Sequence, residues 1–130
     1  MSGEKQSIFV IEDDEDTRAL LEFILNRAGF NVYLAIDGEA ALNRISSTAP
    51  PSAVLLDILM PYHNGFEVLQ AIKANKQWRQ IPVIILTSKE NEDDIVRGFK
   101  EGITDYVTKP FNGVVKHSAS AVSSLPVPPA

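Results

Sequence analysis

The chain contains no cysteine, only two histidines and no long apolar run. The absence of cysteine excludes a disulfide framework and any metal site built on thiolates. No apolar stretch approaches the roughly 20 residues that a membrane-spanning helix needs, so we expect no transmembrane helix and no membrane partner. The N-terminus is polar and lacks an apolar signal core, which makes the cytoplasm the expected location.

Basic residues are also scarce, with 12 Lys and Arg against 17 Asp and Glu and a net charge of −5. Proteins hold nucleic-acid phosphates with clusters of Lys and Arg, so we expect no direct nucleic-acid binding by this domain. A length of 130 residues favours one domain with a substantial core. Five of the acids stand in a row at residues 12–16, directly after a predicted strand.

Five short runs rich in apolar and β-branched residues alternate with helical patterns. The predicted strands are residues 7–11, 31–36, 53–57, 82–87 and 104–108. Helical periodicity begins at about residue 16, at 38, at 66 and at 91, and residues 46–51 are predicted as a loop. Strands and helices in this alternation predict an α/β fold with a doubly wound, five-stranded parallel sheet.

Polar side chains stand at the ends of four of these strands. Glu12 and Asp13 follow the first strand, Asp57 ends the third, Thr87 ends the fourth and Lys109 follows the fifth. Because the carboxyl ends of parallel strands border one crevice, these groups are expected to converge there. Carboxylates so close repel one another unless a cation neutralises them. Hard oxygen ligands with no His or Cys beside them suit Mg²⁺ or Mn²⁺.

This combination predicts phosphoryl chemistry. A metal ion and Lys109 together offer enough positive charge to hold a dianionic phosphoryl group. A carboxylate is the side chain in this set suited to attack phosphorus, and it becomes an acyl phosphate when it does. Asp57 is the best-placed nucleophile because it lies at the end of a strand buried on both faces.

Four segments in order carry a resemblance to a known family: residues 8–14, residues 55–61 with Gly65, residues 85–88 and residues 105–111. Together they resemble the receiver domain of the two-component response regulators, with a fold and site like those of the single-domain chemotaxis-type regulators. The likeness covers residues 7–111. It implies the strand order 2-1-3-4-5 for the sheet.

The resemblance also implies roles for the acidic residues. Asp57 is the expected phosphoacceptor. Glu12 and Asp13 are expected to hold Mg²⁺ together with Asp57 and the backbone carbonyl of Leu59. The phosphoryl donor is expected to be a histidine kinase or a phosphotransfer protein, and the receiver is expected to catalyse its own phosphotransfer and dephosphorylation without acting as an enzyme on an external substrate.

Three further residues complete the implied switch. Thr87 is expected to bind a phosphoryl oxygen and Lys109 to pair with the phosphoryl group. Tyr106 is the aromatic residue whose rotamer reports the position of Thr87. The surface formed by the fourth helix and the fifth strand is then expected to change on phosphorylation and to contact a downstream protein.

Three other functions fit this sequence less well. A Mg²⁺-dependent phosphatase with an aspartyl-phosphate intermediate usually needs a second Asp two residues after the nucleophile, where this chain has Leu59. A flavodoxin-like cofactor module needs a Gly- or Ser/Thr-rich phosphate loop after the first strand, where residues 12–16 are acidic. An interaction domain of the same fold without phosphorylation has no need of a complete site.

Residues 112–130 depart from the family pattern. They are rich in Ser, Val and Pro and almost without charge, which predicts a weak or atypical fifth helix, or a loosely held tail, after a receiver domain at residues 7–111. A weak fifth helix leaves apolar surface uncovered, and this favours a homodimer.

Overall fold

The computed structural model describes residues 6–60, 64–88 and 92–109, which form one parallel sheet with helices on its faces. In chain order the elements are β1 (Ser7–Ile11), α1 (Glu15–Arg27), β2 (Asn31–Ala35), α2 (Gly38–Ser47), β3 (Ala53–Asp57), α3 (Gly65–Ala74), β4 (Val83–Ser88), α4 (Glu92–Lys100) and β5 (Asp105–Lys109). The predicted alternation of strands and helices is confirmed. In the described part of the chain, no helix has the length and apolar character needed to cross a bilayer.

The sheet has the strand order β2-β1-β3-β4-β5, and all four neighbouring pairs are parallel. The expected order is therefore confirmed. The chain runs outward to β2 on one side of β1 and to β3, β4 and β5 on the other, so the direction of winding reverses between β1 and β3. In open α/β sheets such a reversal opens a crevice at the carboxyl ends of the strands, and this is where the acidic residues lie.

Alternate residues of β1 enter two separate apolar clusters. Ile8 and Val10 pack with Leu21 and Leu25 of α1 on one face of the sheet. Phe9 and Ile11 belong to a second cluster on the opposite face, together with side chains of α2 and α3. Because side chains of a strand point alternately to the two faces, a strand that is apolar throughout must be covered on both, as a doubly wound sheet requires.

Element ends differ from the predictions by one or two residues. Residues 46 and 47 were predicted as loop but belong to α2, because the hydroxyls of Ser46 and Ser47 donate to the carbonyl of Asn43, 3.0 and 2.6 Å away, and extend the last turn. The fifth strand was predicted at residues 104–108 but runs from Asp105 to Lys109. Lys109 is the last residue of β5, whereas the prediction placed it after the strand.

Trp78 is a core residue. Its ring is fully buried, packs edge-to-face on Phe9 at 6.0 Å and donates Nε1–H to the carbonyl of Thr48 at 3.1 Å. The single tryptophan therefore has a structural role. The predicted fifth helix and tail at residues 112–130 lie outside the described residues.

Candidate functional site

The connection from β1 to α1 presents two acids to the crevice and uses a third as a helix cap. Glu12 is fully buried, and its Oε2 accepts a hydrogen bond from the backbone N–H of Asp14 at 3.0 Å. Asp13 is exposed. Asp14 is the N-cap of α1, because its Oδ2 accepts from the backbone N–H of Thr17 at 2.8 Å and from the Thr17 hydroxyl at 2.6 Å. These bonds lower the pKa of Asp14.

Asp57 is the last residue of β3 and is buried, with only 3% of its surface exposed. Its Oδ1 accepts the backbone N–H of Leu59 at 3.1 Å, which fixes the carboxylate as the chain leaves the sheet. The N–H of Gly65, the first residue of α3, donates to the carbonyl of Ile58 at 2.9 Å. The nucleophile candidate is thus held by the strand on one side and by the start of α3 on the other.

Lys109 joins the two buried carboxylates from the end of β5. Its Nζ lies 2.7 Å from Oε1 of Glu12 and 3.3 Å from Oδ2 of Asp57. Burial alone would lower the pKa of Lys109, but its ion pairs with Glu12 and Asp57 outweigh burial and raise it. The lysine is therefore a fixed positive charge between the two acids.

A single ammonium does not neutralise this crevice. Burial, followed by the negative charge of Glu12, raises the pKa of Asp57 to about 8, although Lys109 acts in the opposite direction. Without a further cation, the ionised form of Asp57 is therefore disfavoured. The site is built for more positive charge than Lys109 supplies.

A metal ion would supply the positive charge that the crevice lacks. Carboxylate oxygens of Glu12, Asp13 and Asp57 all lie within 4.8 Å of one another. Oε1 of Glu12 is buried and lies 2.7 Å from the Lys109 ammonium, which is also shared with Asp57. Three carboxylates beside one ammonium form a set of hard oxygen donors with excess negative charge, and such a set suits Mg²⁺ or Mn²⁺. The three acids singled out in the sequence are thus brought together.

Thr87 and Tyr106 lie on neighbouring strands beside the crevice. Thr87 is almost fully buried and follows Leu86, the residue paired in register with Asp57. Tyr106 is half-buried on β5, and its ring meets that of Phe99 edge-to-face at a centroid distance of 6.3 Å. The residue two positions after Asp57 is Leu59, whose side chain is exposed. Leucine does not ionise, so it cannot act as the acid of a phosphatase.

Sequence reasoning missed one residue of the site. Arg18 lies one turn into α1, and its guanidinium donates to the backbone carbonyls of both Glu12 and Asp13. An arginine in an acidic helix start has the ordinary appearance of a solvated charge. The spacing of six residues from Glu12 is the only signal in the sequence, and it is weak because long side chains at such spacing usually point to solvent.

Comparison with known proteins agrees with the geometry. The response regulator receiver domain family matches residues 8–118. The alkaline phosphatase synthesis transcriptional regulatory protein PhoP of Bacillus subtilis is 37% identical over 107 residues, and the transcriptional regulatory protein CpxR of Escherichia coli is 41% identical over 105 residues. These alignments cover 82% and 81% of this chain but 43% of either relative, so the chain spans less than half the length of these two regulators.

A solved structure shows the same architecture. The receiver domain of a sensor histidine kinase from Pseudomonas aeruginosa, crystallised with a magnesium ion coordinated in its active-site cleft, is similar with a TM-score of 0.77 and 26% identity. The similarity covers 93% of this chain and 95% of that one. The acidic pocket of Glu12, Asp13 and Asp57 fits the phosphoacceptor site of such domains. The chain therefore belongs to the response regulator receiver domain family, the signalling domain of two-component systems.

Proposed function

We propose that this receiver accepts a phosphoryl group on Asp57 from a phosphohistidine of a histidine kinase or phosphotransfer protein. The observation that carries the proposal is the position of the Asp57 carboxylate, buried at the end of β3 with Lys109 3.3 Å from its Oδ2 and with Glu12 and Asp13 beside it. A carboxylate beside a fixed cation and two further acids at a sheet edge is suited to attack phosphorus.

In the transfer step a carboxylate oxygen of Asp57 forms a bond to phosphorus while the phosphorus–nitrogen bond of the donor breaks. The electron pair of that bond goes to the imidazole nitrogen. Lys109, beside Asp57, neutralises charge on the phosphoryl oxygens, and the Thr87 hydroxyl donates to one of them. The chain then loses the group by water attack on the acyl phosphate, which returns Asp57 to a carboxylate.

The metal completes the charge balance. We assign Mg²⁺, or Mn²⁺ in its place, to the side chains of Glu12, Asp13 and Asp57 together with the carbonyl of Leu59. When bound, the ion supplies positive charge that compensates the acids and the phosphoryl oxygens. Support comes from the carboxylate oxygens of the three acids, which lie within 4.8 Å of one another beside the Lys109 ammonium, and from the burial of Asp57, whose ionised form a cation favours.

A switch follows from the charge that arrives. A phosphoryl group adds nearly two negative charges and three acceptor oxygens, which draw Thr87 and Lys109 inward and vacate space for Tyr106 to turn toward the core. The face formed by α4 and β5 is then the surface that meets a downstream protein. The guanidinium of Arg97 on α4 lies 3.8 Å from the ring centre of Phe66, in the first turn of α3, so this face also contacts the helix that follows β3.

Intact-mass measurement after incubation with acetyl phosphate and Mg²⁺ tests the assignment of Asp57. The wild-type chain is expected to gain one phosphoryl group, and the Asp57→Asn variant is expected to gain none because an amide cannot form the acyl phosphate. Asp16→Asn, which removes an exposed acid from the first turn of α1, is the matched control and should be phosphorylated like the wild type. An equal mass gain in Asp57→Asn would refute the proposal.

The extent of the working unit is a separate part of the proposal. We assign residues 7–111 to the receiver and residues 112–130 to an appendage outside the phosphorylation chemistry. A chain ending at Phe111 should therefore gain the same phosphoryl group under the same conditions. Failure of the shortened chain alone, when it is folded by circular dichroism, would assign part of the receiver to the residues removed.

A further inference from the structure

The connection that carries the metal-site acids is short. Only residues 12–14 separate β1 from α1. The N–H of Glu12 donates to the carbonyl of Ala35 at 3.1 Å, and Asp14 caps the helix. Asp13 is exposed, so apolar packing contributes little to the orientation of its carboxylate. Its position depends on the backbone that carries it.

Arg18 holds that backbone from the second turn of α1. Its Nη1 donates to the carbonyl of Glu12 at 2.9 Å and to the carbonyl of Asp13 at 3.3 Å. One guanidinium nitrogen thus bridges the two residues that face the crevice. We infer that Arg18 is a positioning residue for the metal site, setting the directions of the Glu12 and Asp13 side chains by fixing the peptides on which they stand. The inference rests on the metal site assigned under the proposed function.

Because Arg18 is charged, a positioning role and an electrostatic role predict opposite changes in Mg²⁺ affinity when it is replaced. A positive group beside the acidic cluster opposes the approach of a second cation, so removal of its charge alone would tighten Mg²⁺ binding. Loss of a hydrogen bond that orients metal-holding residues acts in the opposite direction and typically weakens binding by about 10-fold or more. The direction of the change in affinity therefore separates a positioning role from a purely electrostatic one.

The experiment is calorimetric titration of Mg²⁺, without phosphodonor, into the full chain. Arg18→Ala is expected to bind Mg²⁺ about 10-fold more weakly than the wild type. Arg18→Lys keeps the charge but offers a compact ammonium in place of the planar guanidinium, and it is expected to fall between the two. Arg27→Ala is the matched control, because it removes the same charge from the last turn of the same helix, where Arg27 lies over the ring of Phe23. It should bind no more weakly than the wild type.

Unfolding in urea without Mg²⁺ shows which variants are folded. If Arg18→Ala does not fold, Arg18→Lys carries the test, and an affinity equal to the wild type would overturn the inference. Tighter or unchanged binding by a folded Arg18→Ala variant would also overturn it while leaving the proposed function intact. No Mg²⁺ binding by the wild-type chain would overturn the inference by removing the metal site itself, whereas the mass gain on Asp57 tests the proposed function independently.

Discussion

At the scale of single residues, the surroundings of Asp57 disfavour its ionised form. It is 3% exposed, shares its surroundings with the fully buried Glu12 and has the Lys109 ammonium nearby. Lys109 lies closer to Glu12 than to Asp57, at 2.7 against 3.3 Å. Burial, followed by the negative charge of Glu12, outweighs the effect of Lys109 and raises the pKa of Asp57 to about 8.

This pKa predicts how the stability of the metal-free chain depends on pH. The ordinary value of 3.8 applies to the unfolded chain, so between pH 3.8 and about 8 the folded chain binds a proton that the unfolded chain has lost. The contribution of Asp57 to stability is fully present below pH 3.8 and is lost as the pH rises through about 8. We expect the free energy of unfolding, measured by urea titration with a chelator, to fall across this range.

The Asp57→Asn variant isolates the effect. The amide does not titrate, so the variant should lose most of the decline and be more stable than the wild type at alkaline pH, by an amount on the order of a few kcal/mol. Adding Mg²⁺ to the wild type should flatten its profile because the ion favours the ionised carboxylate. Parallel profiles for the two proteins in the presence of chelator would contradict the raised pKa.

At the scale of elements, the start of α3 packs closely against the end of β3 because residue 65 is a glycine and has no side chain. A Cβ added at Gly65 would lie 2.5 Å from Cα of Ile58 and 2.6 Å from the carbonyl oxygen of Asp57. Backbone atoms cannot rotate away as side chains do. The helix would have to move, and with it the loop that donates to the Asp57 carboxylate.

Two glycine substitutions are therefore expected to differ. Gly65→Ala should destabilise the chain by about 1–3 kcal/mol and slow phosphorylation by acetyl phosphate, because α3 and the loop before it are displaced. Gly98→Ala places its Cβ 2.7 Å from the terminal methyl of Ile103, which can change rotamer, and gains up to about 1 kcal/mol of helix propensity. Urea unfolding of the two variants measures the difference in their stability. Equal losses of unfolding free energy would mean that the contact at residue 65 is relieved without movement of the backbone.

The strands and their polar ends could be predicted from the sequence because local pattern and final environment coincide there. Residues 53–56 are apolar throughout, and a run of that kind is stable only when both faces are covered. Helix ends were less predictable since caps decide them: Asp14 begins α1, and the hydroxyls of Ser46 and Ser47 prolong α2. The acids and the lysine of the site were found because each ends or directly follows a strand.

Contacts between distant elements could not be predicted. The sequence offers no reason for Trp78 to reach the carbonyl of Thr48 or for Arg18 to choose the carbonyls of Glu12 and Asp13 over solvent. These pairings depend on how the helices lie on the sheet. Likewise, the closer approach of Lys109 to Glu12 follows from strand register and is invisible in a list of charges.

At the scale of the whole molecule, the proposed switch connects the phosphorylation site to the surface through the α4–β5 face. Val96 and Phe99 on α4 are 54% and 47% exposed, so this face presents apolar surface to solvent. Phe99 packs edge-to-face on Tyr106 with an interplanar angle of 88°. A turn of Tyr106 toward the core would remove this partner from Phe99 and enlarge the apolar surface.

We therefore expect phosphorylation to promote association of the chain through this face. Sedimentation velocity with acetyl phosphate and Mg²⁺ should show a shift from monomer to dimer, because the newly uncovered apolar surface of two copies is buried between them. Phe99→Ser should weaken the association, whereas Phe23→Ser, which removes a phenylalanine of α1 that is more exposed, at 58% against 47%, should leave it unchanged. Monomeric behaviour of the phosphorylated wild type, or equal weakening by both substitutions, would exclude a dimer formed through α4 and β5 and leave that face to a downstream protein.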